Sequence, residues 1–275
     1  MSLLIAWGPA IIALLAAGLF AGFAAGLFGI GGGFVVVPAM IALLPLLGGS
    51  HAEYTHVAIG TSFATIVITA LRSTLSHAKR GAVDFEILKS WAPWIVGGVG
   101  IGVMLARVLT GQALSIIFAV GITLMSINFL VPKLARRQVS DTMPTGVVRA
   151  GIAGSLGIFS SLLGIGGGTV AVIVMTLCGR SIHKAIATAA GFGFIIAVPG
   201  TIGWMLIGLG KPGLPIGSIG YVNFLGAAII TSMSILTAPL GVASAHALPA
   251  EPLKRVFGVY LLFIAGVMFN RAMHM

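Results

Sequence analysis

The chain has 275 residues, of which 58% are hydrophobic and only 7% charged, with a mean hydropathy of +1.14. A soluble domain carries about a quarter charged residues, so a water-exposed globule is excluded and lipid is the solvent. The formal charge of +10 sits in short connections between apolar stretches, which fits membrane topology and not nucleic acid, whose binding needs a basic stripe with interleaved aromatics.

Ten apolar segments follow in order: 3–28, 34–47, 55–76, 85–108 and 112–132, then 145–163, 169–178, 183–209, 219–246 and 252–272. The first lacks a basic leader and reads as a retained span, not a cleaved signal peptide. Segment 169–178 rises about 15 Å as a helix and segment 34–47 about 21 Å, both short of the roughly 30 Å of a bilayer core. Each starts just after the same pentapeptide, Gly-Ile-Gly-Gly-Gly, at 29–33 and 164–168.

The halves match beyond these glycines. His56, Ala58, Ile59 and Thr61 align with His183, Ala185, Ile186 and Thr188, and Gly102, Leu109, Leu114 and Phe118 align with Gly241, Leu248, Leu253 and Phe257. Such an internal duplication is the usual plan of secondary transporters. It divides the chain into a first half at 1–132, a polar linker at 133–144 carrying Lys133, Arg136 and Arg137, and a second half at 145–275. The fold class expected is an all-α polytopic membrane protein of eight to ten transmembrane or partial helices, with glycine-broken half-helices. If each half crosses an odd number of times, as five spans or as three spans and a membrane hairpin, only Arg107, Lys211 and Arg271 face away from the other twelve Lys and Arg residues. The positive-inside rule then places both termini outside, the linker in the cytoplasm and the halves in inverted orientation.

Backbone broken at membrane depth survives only inside protein or beside water, because unsatisfied N–H and C=O groups cost several kcal/mol each. A helix that starts there at Phe34 or Thr169 presents free N–H groups and a positive dipole end, an anion site that needs no buried cation. Gly31, Gly32, Gly33 and Phe34, with Gly166, Gly167, Gly168 and Thr169, are therefore the substrate-binding candidates. The competing reading is close helix packing, where glycine lets two backbones touch. A nucleotide-phosphate loop fits poorly, since no Walker lysine and no G-x-G-x-x-G spacing follows.

The repeated GIGGG with its short apolar helix, together with A-I-G-T-S at 58–62, His77 followed by Arg80-Gly81 and Val83-Asp84, G-Y-V-N at 220–223 and the tail LPAEPLKRVFGVYLL at 248–262, resembles the sulfite exporter TauE/SafE family, also called the toluene-sulfonate uptake permeases. The resemblance spans nearly the whole chain. It implies a carrier in the bacterial plasma (inner) membrane for small sulfur oxyanions or sulfonates, with export as the family's direction. Two departures make the halves unequal: ATAAGF at 187–192 lacks a hydroxyl like that of Ser62, and Ile173 stands where the first half has Pro38.

Thr61, Ser62 and Thr188 are expected to offer hydroxyls to the anion. Thr61, Thr65 and Thr69 share a helix face, where bonding back to the i−4 carbonyl is the alternative. His56 and His183 at span starts, with Arg72 and His77, are candidates for coupling or anion attraction; interfacial placement or snorkelling competes. Asn128 and Asn223 fall within predicted spans. No acid lies mid-span, and the six histidines show no close metal pair, so neither a metal, a cofactor nor enzymatic catalysis is expected. A passive anion channel on the same repeat is the alternative to a carrier.

Overall fold

The structure, a computed structural model, describes residues 2–131, 140–247 and 250–274. Lys133, Arg136, Arg137 and Leu248 lie outside the described residues. Among the described residues ten α-helices follow one another: α1 (Ser2–Phe28), α2 (Gly33–Leu43), α3 (Tyr54–Ala78), α4 (Phe85–Val108), α5 (Gly111–Leu130), α6 (Gly146–Leu163), α7 (Gly168–Leu177), α8 (Ile182–Gly208), α9 (Phe224–Ala247) and α10 (Ala250–Met273). All except α2 and α7 are long and apolar enough to cross a membrane. The chain is an all-α polytopic membrane protein.

The predicted span at 219–246 starts later than expected. Residues 218–223 form a small hairpin of two strands, β1 (Ser218–Ile219) and β2 (Val222–Asn223), with Gly220 at φ +55 in its turn. Asn223 therefore stands before α9 and not inside a span. Its Oδ1 accepts from Gly226 N at 2.8 Å, the bond of an N-cap. Asp84 caps α4 in the same way through Ile87 N at 3.1 Å, and Thr110 caps α5 through Ala113 N.

Two ends of the bundle can be followed through their contacts. At one, here the terminal face, Leu47 accepts from Ile216 N, His56 reaches the Leu109 carbonyl beyond α4, and Gln112 donates to Ala272 near the end of α10. At the other, the linker face, Ser140 N bonds Leu177 O at the end of α7, and His77 of α3 meets His246 of α9. Gly18, Gly22 and Gly26 of α1 face Ile230, Ser234 and Ala238 of α9, so these two helices run parallel in backbone contact. Small residues at i, i+4 and i+8 permit that approach.

This contact has a counterpart elsewhere in the chain. Gly22 meets Ser234 and Thr237, while Gly157 of α6 meets Ile95 and Gly98 of α4; Gly241 meets the Phe23 carbonyl, while Gly102 meets that of Ile158. The pairing of α1 with α9 is thus repeated by α6 with α4. Helices α3 and α8 pack on each other at the centre, and α5 packs on α10 at the side.

Candidate functional site

Each glycine run bends the chain back on itself. Gly29, Gly31 and Gly32 have φ of 68, 77 and 83, and Gly164 and Gly167 have φ of 65, a region that costs an L residue with a Cβ roughly 1–2 kcal/mol. Helix α1 starts toward the terminal face and its Gly26 carbonyl reaches His77 near the linker face. Helix α2 then returns, so that Leu47 again lies at the terminal face. Helices α6 and α7 make the same hairpin from the linker face.

The tips of the two hairpins cross. A Cβ on Gly33 would strike the Gly164 carbonyl oxygen, and one on Gly168 would strike the Gly29 carbonyl oxygen. Between them, a Cβ on Gly31 would lie 3.4 Å from Gly166 Cα. The duplicated pentapeptide thus serves close packing, and it also places the starts of α2 and α7 side by side inside the protein. Neither start has a side-chain cap; in α2 the Val35 N–H turns back to the Gly32 carbonyl at 3.0 Å, and the remaining first-turn N–H groups are left for other acceptors.

The two starts differ in what surrounds them. Phe34 is fully buried, edge-on to Phe257 at 6.4 Å between ring centroids. Ser62 Oγ donates to the Gly164 carbonyl at 2.7 Å and so closes the crossing on that side. At the other start, Thr169 is 4% exposed, and its Oγ1 has no hydrogen-bond partner among the described residues. It lines a cavity of about 30 Å³ with Asn128, Phe28, Phe129 and Ile186. A cavity needs about 10–15 Å³ per water, so this one admits a small polar guest and little more.

The other hydroxyls have partners. Thr61 Oγ1 accepts from Asn223 N at 2.8 Å, and Thr188 Oγ1 accepts from Asp84 N at 2.9 Å. Both threonines therefore seat the start of a helix from another part of the chain. Thr65 and Thr69 bond back to the carbonyls of Ser62 and Thr65, and Thr69 also lies 2.9 Å from Ser234 Oγ. Their neighbours line the glycine runs: Ser62 bonds the Gly164 carbonyl, and a Cβ on Gly29 would strike the Ile186 carbonyl oxygen.

The histidines fall at opposite faces. At the terminal face His56 stacks on Tyr221 at 4.9 Å and bonds the Leu109 carbonyl at 3.1 Å. A carbonyl only accepts, so Nε2 carries the proton. Nδ1 lies 3.8 Å from Glu53 Oε2, and neither atom has a hydrogen bond. The Tyr221 phenol is held above its ordinary value, first by burial and then by Glu53. At the linker face His77 bonds the Gly26 carbonyl and His246, which in turn stacks on His183 at 5.4 Å. The sequence does not single out His246, because its neighbours His77 and His183 come from two helices distant in the chain. No group of three or more metal-ligating side chains occurs among the described residues. Arg72 is exposed beside the exposed Leu71 and Leu75 and lies away from the crossing.

Eight long apolar helices and two half-length ones, whose starts meet inside the protein, define a polytopic membrane transporter. Comparison with known proteins agrees. The family model described as sulfite exporter TauE/SafE matches residues 14–268, and the chain belongs to that family. A Haemophilus influenzae protein described as a probable membrane transporter is 36% identical over 94% of this chain and 98% of its own length. Proteins with the same description from Bacillus subtilis and Methanocaldococcus jannaschii are 26% and 24% identical, each over more than nine-tenths of both chains. No solved structure matches.

Proposed function

We propose that this transporter is a secondary carrier of small sulfur-containing anions, sulfite or an organosulfonate, and that it works in export. The observation that carries the reading is the unpartnered Thr169 hydroxyl at the uncapped start of α7, buried at the crossing of the two glycine runs. A helix start with spare N–H groups favours negative charge without a buried cation. In this reading Gly166, Gly167, Gly168 and Thr169 hold the anion's oxygens, and Asn128 adds an amide. Gly31, Gly32, Gly33 and Phe34 form the opposing wall, and Thr61, Ser62 and Thr188 fix the elements around it. The family's description as sulfite exporters supports sulfite as the first substrate to try.

The halves act as an inverted repeat in this proposal, moving against each other about the crossing. The matched contacts of α1 with α9 and of α6 with α4 support it. Lys79, Arg80, Arg180 and Lys184 belong to the linker face, with Arg107, Lys211 and Arg271 at the other, which supports a cytoplasmic linker and external termini in a bacterial inner membrane. No ATP-binding motif is present in the sequence. An inside-negative potential already favours anion exit by about 2.3 kcal/mol per charge per 100 mV.

The test is flux of sulfur-35 sulfite in proteoliposomes under an imposed potential, with taurine, sulfoacetate and sulfate as competitors. Saturable flux with counter-exchange is expected, and Thr169→Val should raise KM by roughly tenfold, the loss of one hydrogen bond to a charged group. Flux linear in concentration without counter-exchange would identify a channel. Saturable flux with an unchanged KM in Thr169→Val would remove the site from the crossing.

A further inference from the structure

A polar concavity lies at the terminal face, away from the crossing. It is a basin of about 620 Å³ between the end of α10 and the start of α5. Arg271 stands in its wall. The guanidinium Nε is buried without a hydrogen-bond partner, and Nη1 makes only a 3.5 Å bond to the Ile41 carbonyl in α2. Five donors in a planar fork are thus almost unused, and that fork matches carboxylate, sulfonate or phosphate geometry.

The rest of the wall has the same polarity. His51 and His274 line the basin, as do Thr110, Gly111 and Gln112 at the start of α5. Thr110 caps Ala113 N, and the N–H groups of Gly111 and Gln112, both lining residues, have no intrahelical partner. Gln112 Nε2 donates to Ala272 O at 2.8 Å and ties the two walls together. No Asp or Glu is among the lining residues. Glu53, the nearest acid in sequence, approaches His56 instead.

We propose that this basin is a second, external anion site: a vestibule where Arg271 binds the oxyanion head of a sulfonate or sulfite at the terminal face. Its ligand class rests on the anion-carrier reading. Its position does not, because a guanidinium with no carboxylate partner among the described residues attracts any small oxyanion. Through its Ile41 contact, Arg271 touches the half-helix α2, whose other end lies at the crossing. The vestibule therefore adjoins the element that a carrier would have to move.

The test reads local charge and occupancy without requiring transport. In a Cys178→Ser background, Ala52→Cys places a thiol on the exposed rim. The purified protein is labelled with the anionic sulfonatoethyl methanethiosulfonate and with its cationic trimethylammonioethyl analogue. The anionic reagent should react faster relative to the cationic one, and Arg271→Gln should lower that ratio by about threefold or more. Methanesulfonate should slow labelling in the parent and not in Arg271→Gln. Arg271→Lys keeps the charge and loses the fork; it should keep the ratio while weakening the protection, and it carries the test if Arg271→Gln does not insert. A ratio independent of residue 271, with no protection by methanesulfonate, overturns the vestibule. Protection without anion flux in proteoliposomes would leave the vestibule and remove the carrier reading; flux without protection would do the reverse.

Discussion

The backbone N–H of Asn223 donates to Thr61 Oγ1 at 2.8 Å, deep inside the bundle. Thr188 makes the same bond to Asp84 N at 2.9 Å, so two hydroxyls in matching sequence positions each seat a capped helix start. Replacing either threonine by Val keeps the shape and strands an N–H, buried at Asn223 and half-buried at Asp84. We expect Thr61→Val and Thr188→Val each to lower stability by about 1–3 kcal/mol, read as thermal unfolding in detergent.

The hydroxyls at the crossing should separate by the opposite logic. Ser62→Ala removes a 2.7 Å bond to the Gly164 carbonyl and should cost about 0.5–1.5 kcal/mol. Thr169→Val removes a hydroxyl that has no partner, so its melting temperature should hold or rise while anion affinity falls. A matching loss of stability in both variants would mean that Thr169 has a structural partner.

Close approach predicts which glycines tolerate a methyl group. Gly168→Ala drives a Cβ into the Gly29 carbonyl and should destabilise by about 1–3 kcal/mol, as overpacking does. Gly100→Ala, on an exposed helix position with nothing within 4 Å, should be neutral or gain up to about 1 kcal/mol through helix propensity. Melting curves of the two variants check the pair.

Cys178 gives a pH readout at the linker face. Burial pushes its thiol pKa up, with Arg180 opposing. A raised pKa leaves less thiolate at any given pH, so maleimide labelling of folded protein should lag behind that of urea-unfolded protein near neutrality. The labelling curve of the folded protein should rise at higher pH than the unfolded one.

Removing a helix cap should act locally. Asn223→Ala loses the bond to Gly226 N and those from Nδ2 to Ile216 O and Ser218 Oγ. A cap alone is worth about 1 kcal/mol, so the loss should exceed that and should expose the 209–223 connection to proteolysis first. Asp84→Ala, which loses a single cap bond, should stay near that figure.

Composition and period determined much of this protein from the sequence alone. With so few charges the chain has to fold in lipid, where every backbone group must be satisfied within helices, and segment lengths then separate α2 and α7 from the long helices. The hairpin before α9 reads as helix in the sequence because Gly220 and Asn223 sit in a stretch apolar enough to pass for a span. Tertiary structure alone decided what the glycines and hydroxyls do. Thr61, Ser62 and Thr188 look alike in sequence to Thr169, and only partners brought from distant helices distinguish a hydroxyl already bonded from one left free. The crossing of Gly33 over Gly164, and the meeting of Arg271 with the start of α5, join segments more than a hundred residues apart. No local pattern encodes such a contact, because it depends on which helix faces come to rest against each other.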